Sequence, residues 1–194
     1  MNILFVNTFD VSPFLGGTER ITDTLCREFR KRCLCRCYLA YYEGIDSLYK
    51  KTVFDGRLCL GSRKNVALLI DYIVKKDIDV VLLQGQLGLA KGIRQAIGKK
   101  IKIIFAHHLY PGVEREDVSW SNSVLKCWKS RGLMANMLRL TAYPILKVKH
   151  LYALPLKYKD TYDYSDKVVL LSSELIQPFT AFGHIKAVSY THLR

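Results

Sequence analysis

Three short stretches of this 194-residue chain carry residue types that could do chemistry. The first is Pro13-Phe14-Leu15-Gly16-Gly17-Thr18-Glu19-Arg20. Paired glycines let backbone come close to a ligand, and a helix capped by Thr18 would aim its free N–H groups and positive dipole end at a phosphate. Gly16, Gly17 and Thr18 are therefore candidates for holding a diphosphate, with a plain turn as the alternative. The stretch is neither Gly-x-Gly-x-x-Gly nor a Walker loop, since no Gly-Lys-Ser/Thr follows. The second stretch is Ala106-His107-His108-Leu109-Tyr110-Pro111-Gly112. A histidine there can donate a hydrogen bond to a sugar hydroxyl or a phosphate, and its near-neutral pKa suits proton transfer. Adjacent residues of a strand point to opposite faces, so one of the pair should face a cleft while the other is structural. The third is Ser172-Ser173-Glu174-Leu175, where Ser173 and Glu174 could line the same cleft or simply cap a helix.

The elements around these stretches alternate. Strands are expected at Ile3–Asn7, Leu34–Tyr42, Arg57–Leu60, Asp79–Gln84, Lys102–His107 and Lys167–Leu171, and helices at Thr18–Arg32, Asn65–Lys76 and Gly88–Lys99. Apolar cores such as Val80-Val81-Leu82-Leu83 and Ile103-Ile104-Phe105 suit central parallel strands buried on both sides. The fold class is α/β: a doubly wound, Rossmann-like parallel sheet with helices on both faces. Ligands of such sheets sit beyond the carboxyl ends of the strands, where all three candidate stretches fall.

After His108 the alternation breaks into a long, mostly helical basic insertion, about 120–160. From Val118 to Lys159 there is no acidic residue, while Lys126, Lys129, Arg131, Arg139, Lys147, Lys149, Lys157 and Lys159 are interleaved with Trp120, Trp128, Tyr143, Tyr152 and Tyr158. Basic, aromatic helices suit an anionic bilayer surface. The alternative is an apolar face packed on the sheet with its lysines solvated. The whole chain has 30 Lys plus Arg against 17 Asp plus Glu, a formal charge of +13, which favours anionic partners. The opening Met1–Asn7 lacks the basic region of a signal peptide, and no stretch is apolar enough to span a bilayer, so the expectation is a cytosol-side protein. The six cysteines are expected to be reduced, with Cys33, Cys35 and Cys37 alternating along one strand as buried hydrophobes and lacking the spacing of a zinc site.

Taken in order, Asn2-Ile3-Leu4-Phe5-Val6-Asn7, Gly16-Gly17-Thr18-Glu19-Arg20, Asp79-Val80-Val81-Leu82-Leu83-Gln84-Gly85, the His107-His108 strand and Asp166-Lys167-Val168-Val169-Leu170-Leu171-Ser172-Ser173-Glu174 resemble the N-terminal domain of family 4 retaining GT-B glycosyltransferases. That group is typified by bacterial capsule and lipopolysaccharide sugar transferases. The resemblance covers residues 1–187 and implies the first of two Rossmann-like domains, holding a glycan or lipid-linked acceptor while a second domain holds the nucleotide-sugar donor. It implies transfer with retention, no cofactor and no obligatory metal. Gly16 and Gly17 would lie against the donor diphosphate, and His108 rather than His107 would meet the transferred sugar. The family's paired glutamates and phosphate clamp belong to the second domain, so the chain is expected to fold without transferring sugar. Residues 188–194 fit no expected element and resemble a non-native tail. Two rivals stand beside this reading. One is a basic module for membrane or nucleic acid, although no nucleic-acid motif is present. The other is a nicotinamide or flavin enzyme in which Glu43 meets a ribose, against which stands the missing Gly-x-Gly-x-x-Gly.

Overall fold

A computed structural model describes residues 1–12, 16–33, 35–43, 53–61, 65–114, 137, 141–183 and 190–191. Its strands are β1 (Asn2–Phe9), β2 (Arg36–Glu43), β3 (Gly56–Cys59), β4 (Val80–Gln84), β5 (Lys102–His107), β6 (Lys167–Leu170) and β7 (Tyr190–Thr191). The helices are α1 (Gly17–Cys33), α2 (Val66–Lys75), α3 (Leu89–Ile97), α4 (Tyr143–Tyr164) and α5 (Ile176–Phe182). The sheet order is β3-β2-β1-β4-β5-β6-β7, and every pairing is parallel. After β3 the chain returns past β1 and winds in the other direction, which puts the topological switch between β1 and β4.

Strand alternation sorts the core onto two faces. Leu4 and Val6 of β1 join Val81, Leu83, Ile103 and Phe105 under α2, α3, α4 and α5. Ile3 and Phe5 point the other way and meet Cys26, Cys37, Leu39 and Phe54 beneath α1. Both faces are covered, which is why the central strands are apolar without interruption.

One expectation is corrected. Cys33 closes α1 rather than joining a strand, because the helix runs one residue past the expected Arg32; Cys35 and Cys37 are buried together with Cys26. The described part of the basic segment takes the second of its two alternatives, an apolar face packed on the sheet: Leu154, Tyr158 and Thr161 of α4 are buried, and the helix is the crossover between β5 and β6. Lys91 Nζ pairs with Asp160 at 3.1 Å and Gly88 N–H donates to Thr161 Oγ1 at 2.8 Å, fastening α4 to α3. Tyr190–Thr191, within the stretch expected to be a non-native tail, pairs with Val168–Val169 as an edge strand. No helix among the described residues is long and apolar enough to cross a membrane.

Candidate functional site

A cavity of about 170 Å³ opens at the carboxyl ends of β1, β4 and β5, beside the switch point. Its described lining includes Thr8, Thr18, Glu19, Gln84, Gly85, His107, His108 and Glu114. Gly16 and Gly17 are not among its lining residues but directly precede Thr18, which is, where α1 begins. The helix starts at Gly17, so Thr18 lies within the first turn instead of capping it, and its carbonyl accepts Thr22 Oγ1–H at 2.8 Å. A side chain at Gly17 would meet nothing within 4 Å, so that backbone is open to close approach; at Gly16 a Cβ would come within 2.8 Å of Glu19 Oε2.

Both histidines reach this cavity, contrary to the expectation that only one would. β5 ends at His107, so strand alternation no longer governs His108. His107 is 1% exposed and packs between Phe105, Tyr158 and Phe179, with ring centroids 5.4 to 5.7 Å away. Burial, aided by His108, lowers its pKa to about 4, and burial alone lowers that of His108. Both rings are therefore neutral near pH 7. His108 Nε2 bonds Gln84 Oε1, the polar residue that ends an otherwise apolar strand.

Behind His107 lies a network that sequence reading missed. Tyr158 Oη sits 3.2 Å from His107 Nε2, donates to Glu114 Oε2 at 2.7 Å and accepts the Gly112 N–H at 3.1 Å. Burial pushes the Tyr158 hydroxyl well above its ordinary pKa, and Glu114 adds to the rise. Gly112 is required here: its φ is +91°, and a Cβ would press within 3.0 Å of the Phe182 ring. Glu114 is further held through its carbonyl, which accepts from His150 Nε2 at 3.0 Å. The sequence signal for Gln84 was a polar residue at a strand's carboxyl end; for Glu114 and Tyr158 there was none, as they are 44 residues apart.

Among the described residues, most of the buried side-chain atoms without a hydrogen-bond partner gather at this end of the sheet: Gln84 Nε2, His107 Nδ1, His108 Nδ1 and, on β1, Asn7 Oδ1. Tyr72 Oη is the exception. Such atoms are expensive to bury unless something satisfies them, so their concentration marks a place for a polar ligand.

The other candidate residues fall elsewhere. Ser173 and Glu174 are exposed and do not line the cavity; Ser172 Oγ accepts the Glu174 N–H at 3.2 Å, which is the capping alternative. Lys147 and Lys149 are exposed on the outer part of α4. Lys126, Lys129, Arg131 and Arg139 lie outside the described residues. Glu43 is exposed at the end of β2, its carbonyl accepting the Asp10 N–H at 3.1 Å. Among the described residues no cluster of three or more His, Cys, Asp or Glu is placed to hold a metal.

No family model matches the sequence, and a search of curated proteins found no match. Among solved structures, the fold is similar to that of a sucrose-phosphate synthase from Thermosynechococcus elongatus, with a TM-score of 0.56 and 8% sequence identity. The match covers 99% of this chain and 47% of that one, so the chain spans about half the length of its structural neighbour. At this identity the likeness shows the fold alone: a parallel α/β sheet flanked by helices, like a GT-B glycosyltransferase domain.

Proposed function

We propose that this chain is the acceptor-side domain of a retaining glycosyltransferase, of the family 4 type that builds capsular or lipopolysaccharide glycans. It moves a sugar from a nucleotide-sugar donor to a glycan or lipid-linked acceptor in polysaccharide biosynthesis. The observation that carries the reading is the cavity at the β1/β4 switch point, with two neutral histidines and orphaned polar atoms in its wall and the start of α1 at its rim. In this scheme Gly16 and Gly17 lie against the donor diphosphate, where the N–H groups of α1 and its dipole favour negative charge. His107 and His108 face the sugar. No metal is required, because the positive helix end takes the charge that a cation would otherwise hold. A second domain closes the cleft and brings the main donor-binding groups, so the 194-residue chain binds without transferring.

The test is the shift in melting temperature that nucleotide sugars produce. A panel of them should raise the melting temperature of the chain, and Gly17→Val, which has room for its side chain within the fold, should abolish the shift while leaving the unliganded melting temperature within a few degrees. Equal shifts in both proteins, or none in the parent, defeat the proposal. Turnover by the chain alone would defeat the division of labour between two domains.

One further observation favours work at a membrane surface on the cytoplasmic side. Ile145, Val148, Tyr152 and Leu156 recur at helical spacing and are 53 to 77% exposed, on the side of α4 opposite Leu154, Tyr158 and Thr161. Lys149 stands beside this stripe, whereas Lys147 lies on the other side of the helix with its Nζ over the Tyr143 ring. An apolar stripe bordered by a lysine, on a strongly basic chain, suits an anionic bilayer that presents a lipid-linked acceptor.

A further inference from the structure

We infer that the amino edge of the sheet, at the opposite end from the cavity, carries a groove between α2 and α3 that docks an acidic, amphipathic helix of a partner protein.

α2 and α3 pack beside each other on one face of the sheet, and each leads directly into the strand beneath it, β4 or β5. α2 stops at Lys75 and the chain turns through Asp77, whose φ is +49°; α3 stops at Ile97 and turns through Gly98, whose φ is +74°. Between the two turns lies a hollow of about 350 Å³. Ile73, Ile78 and Ile101 are its buried floor, with Ile70, Val74 and Ile97 around them. Val74 shares a face of α2 with Ile70 and Ile73, yet it is 66% exposed. Residues 65–114 are described without a break, so both helices, both turns and both strands are defined.

The helix ends here already have their donors. Asn2 Nδ2 donates to the Lys76 and Asp77 carbonyls at 3.0 and 2.9 Å, and Arg94 to those of Gly98 and Ile101. What the hollow offers a ligand is apolar surface, and an apolar side chain seated there would remove it from water.

Charge selects the flanks of that ligand. Lys75, Lys99, Lys100, Lys102 and Lys167 are exposed at this edge, Lys100 in the wall of the hollow itself. Of the aspartates there, Asp79 and Asp166 turn inward onto the N–H groups of Asn2 and Ile103, both at 2.7 Å, which leaves Asp71 and Asp77 exposed. Lysines at helix ends also offset the helix dipole, but Lys102 and Lys167 open strands, where there is no such dipole to offset. An apolar seat bordered by lysines fits a helix that brings an apolar anchor between carboxylates. A nucleic acid brings the charge without the anchor.

The experiment adds a synthetic helical peptide of glutamate and leucine, with leucine at every third or fourth position, to the 15N-labelled 194-residue chain. Polyglutamate and duplex DNA are added in separate titrations. The peptide should shift the amides of residues 70–79 and 96–102 and bind more weakly as salt is raised. Lys99→Glu with Lys100→Glu should weaken it by about tenfold or more, and Val74→Ser should weaken it severalfold. Lys31→Glu with Arg36→Glu makes the same change of charge beneath α1 and should leave the affinity within about twofold. Melting temperatures near the parent's show that each variant is folded. A peptide that moves none of these amides overturns the inference, as does unchanged affinity in the Lys99 and Lys100 variant or an equal loss in the Lys31 and Arg36 variant. Polyglutamate or DNA shifting the same amides as strongly as the peptide also overturns it, because the apolar seat then plays no part. The proposed function is read at the carboxyl edge with nucleotide sugars, so either can fail while the other stands.

Discussion

His107 stays neutral in the folded chain because it has almost no solvent around it, and this has a cost that pH reveals. Its ordinary pKa is 6.5 and its folded value about 4, so between these the unfolded chain binds a proton that the folded chain does not. The contribution to stability is full above pH 6.5 and declines as the pH falls towards 4. By the rule of about 1.4 kcal/mol per unit, His107 alone should cost ~2 kcal/mol between pH 7 and pH 5. Urea titrations at the two pH values check this: the fall should be smaller in His107→Phe, and an equal fall in both proteins would place the titrating group elsewhere. A second residue with a defined cost is Gly112. Gly112→Ala must adopt a positive φ and press on Phe182, so it should lower stability by about 1–2 kcal/mol or more in the same measurement. At this scale the histidines were legible as polar residues closing an apolar strand. Tyr158 and Glu114 were not, since a tyrosine among basic residues and one acidic residue after a turn acquire meaning only when α4 folds back across β5.

The strands were legible as elements because a doubly covered parallel sheet demands uninterrupted apolar runs, and Val80 to Leu83 or Ile103 to Phe105 have few other uses. The long basic segment was harder to read. Its apolar residues lie on both sides of α4, so helical period alone could not tell the face that packs, Leu154, Tyr158 and Thr161, from the stripe that does not. Two predictions belong here. Replacing Ile145 and Leu156 together by serine should leave the melting temperature nearly unchanged and weaken binding to anionic vesicles by about tenfold or more, from the apolar area no longer inserted; unchanged vesicle binding would remove the stripe from the interface. At the opposite edge, Arg94 joins α3 to β6, pairing with Asp166 at 2.6 Å and donating to the Gly98 and Ile101 carbonyls at 2.9 and 3.0 Å. Burial raises the Asp166 pKa, but the Ile103 N–H, Arg94 and Lys102 outweigh it and hold the carboxyl below its ordinary value. Its stabilising effect is present above pH 4 and lost as the pH falls further. Arg94→Ala should cost about 1–3 kcal/mol at pH 7, read from chemical denaturation, and the variant should lose less than the parent on acidification.

Among the described residues, the cavity wall carries neither lysine nor arginine. Thirteen net positive charges favour the approach of anions, yet the described cavity wall carries carboxylates and neutral imidazoles. The proposed function asks both of an anionic nucleotide-sugar donor: a basic surface to approach, and a neutral place for its sugar. Doubly wound topology explains where the pocket must be, because the chain reverses its winding between β1 and β4 and leaves a crevice there. The measurement that tests this most directly is amide chemical-shift mapping of the 15N-labelled chain as nucleotide sugars are added. The expected shifts fall on residues 8–9, 17–19, 84–85 and 107–114, around the carboxyl edge of the sheet. A larger hollow of about 350 Å³ lies between α2 and α3 at the other edge, lined by Ile73, Asp77 and Lys100 among others. Shifts confined to that hollow, or none at all, would contradict a sugar-nucleotide site at the switch point.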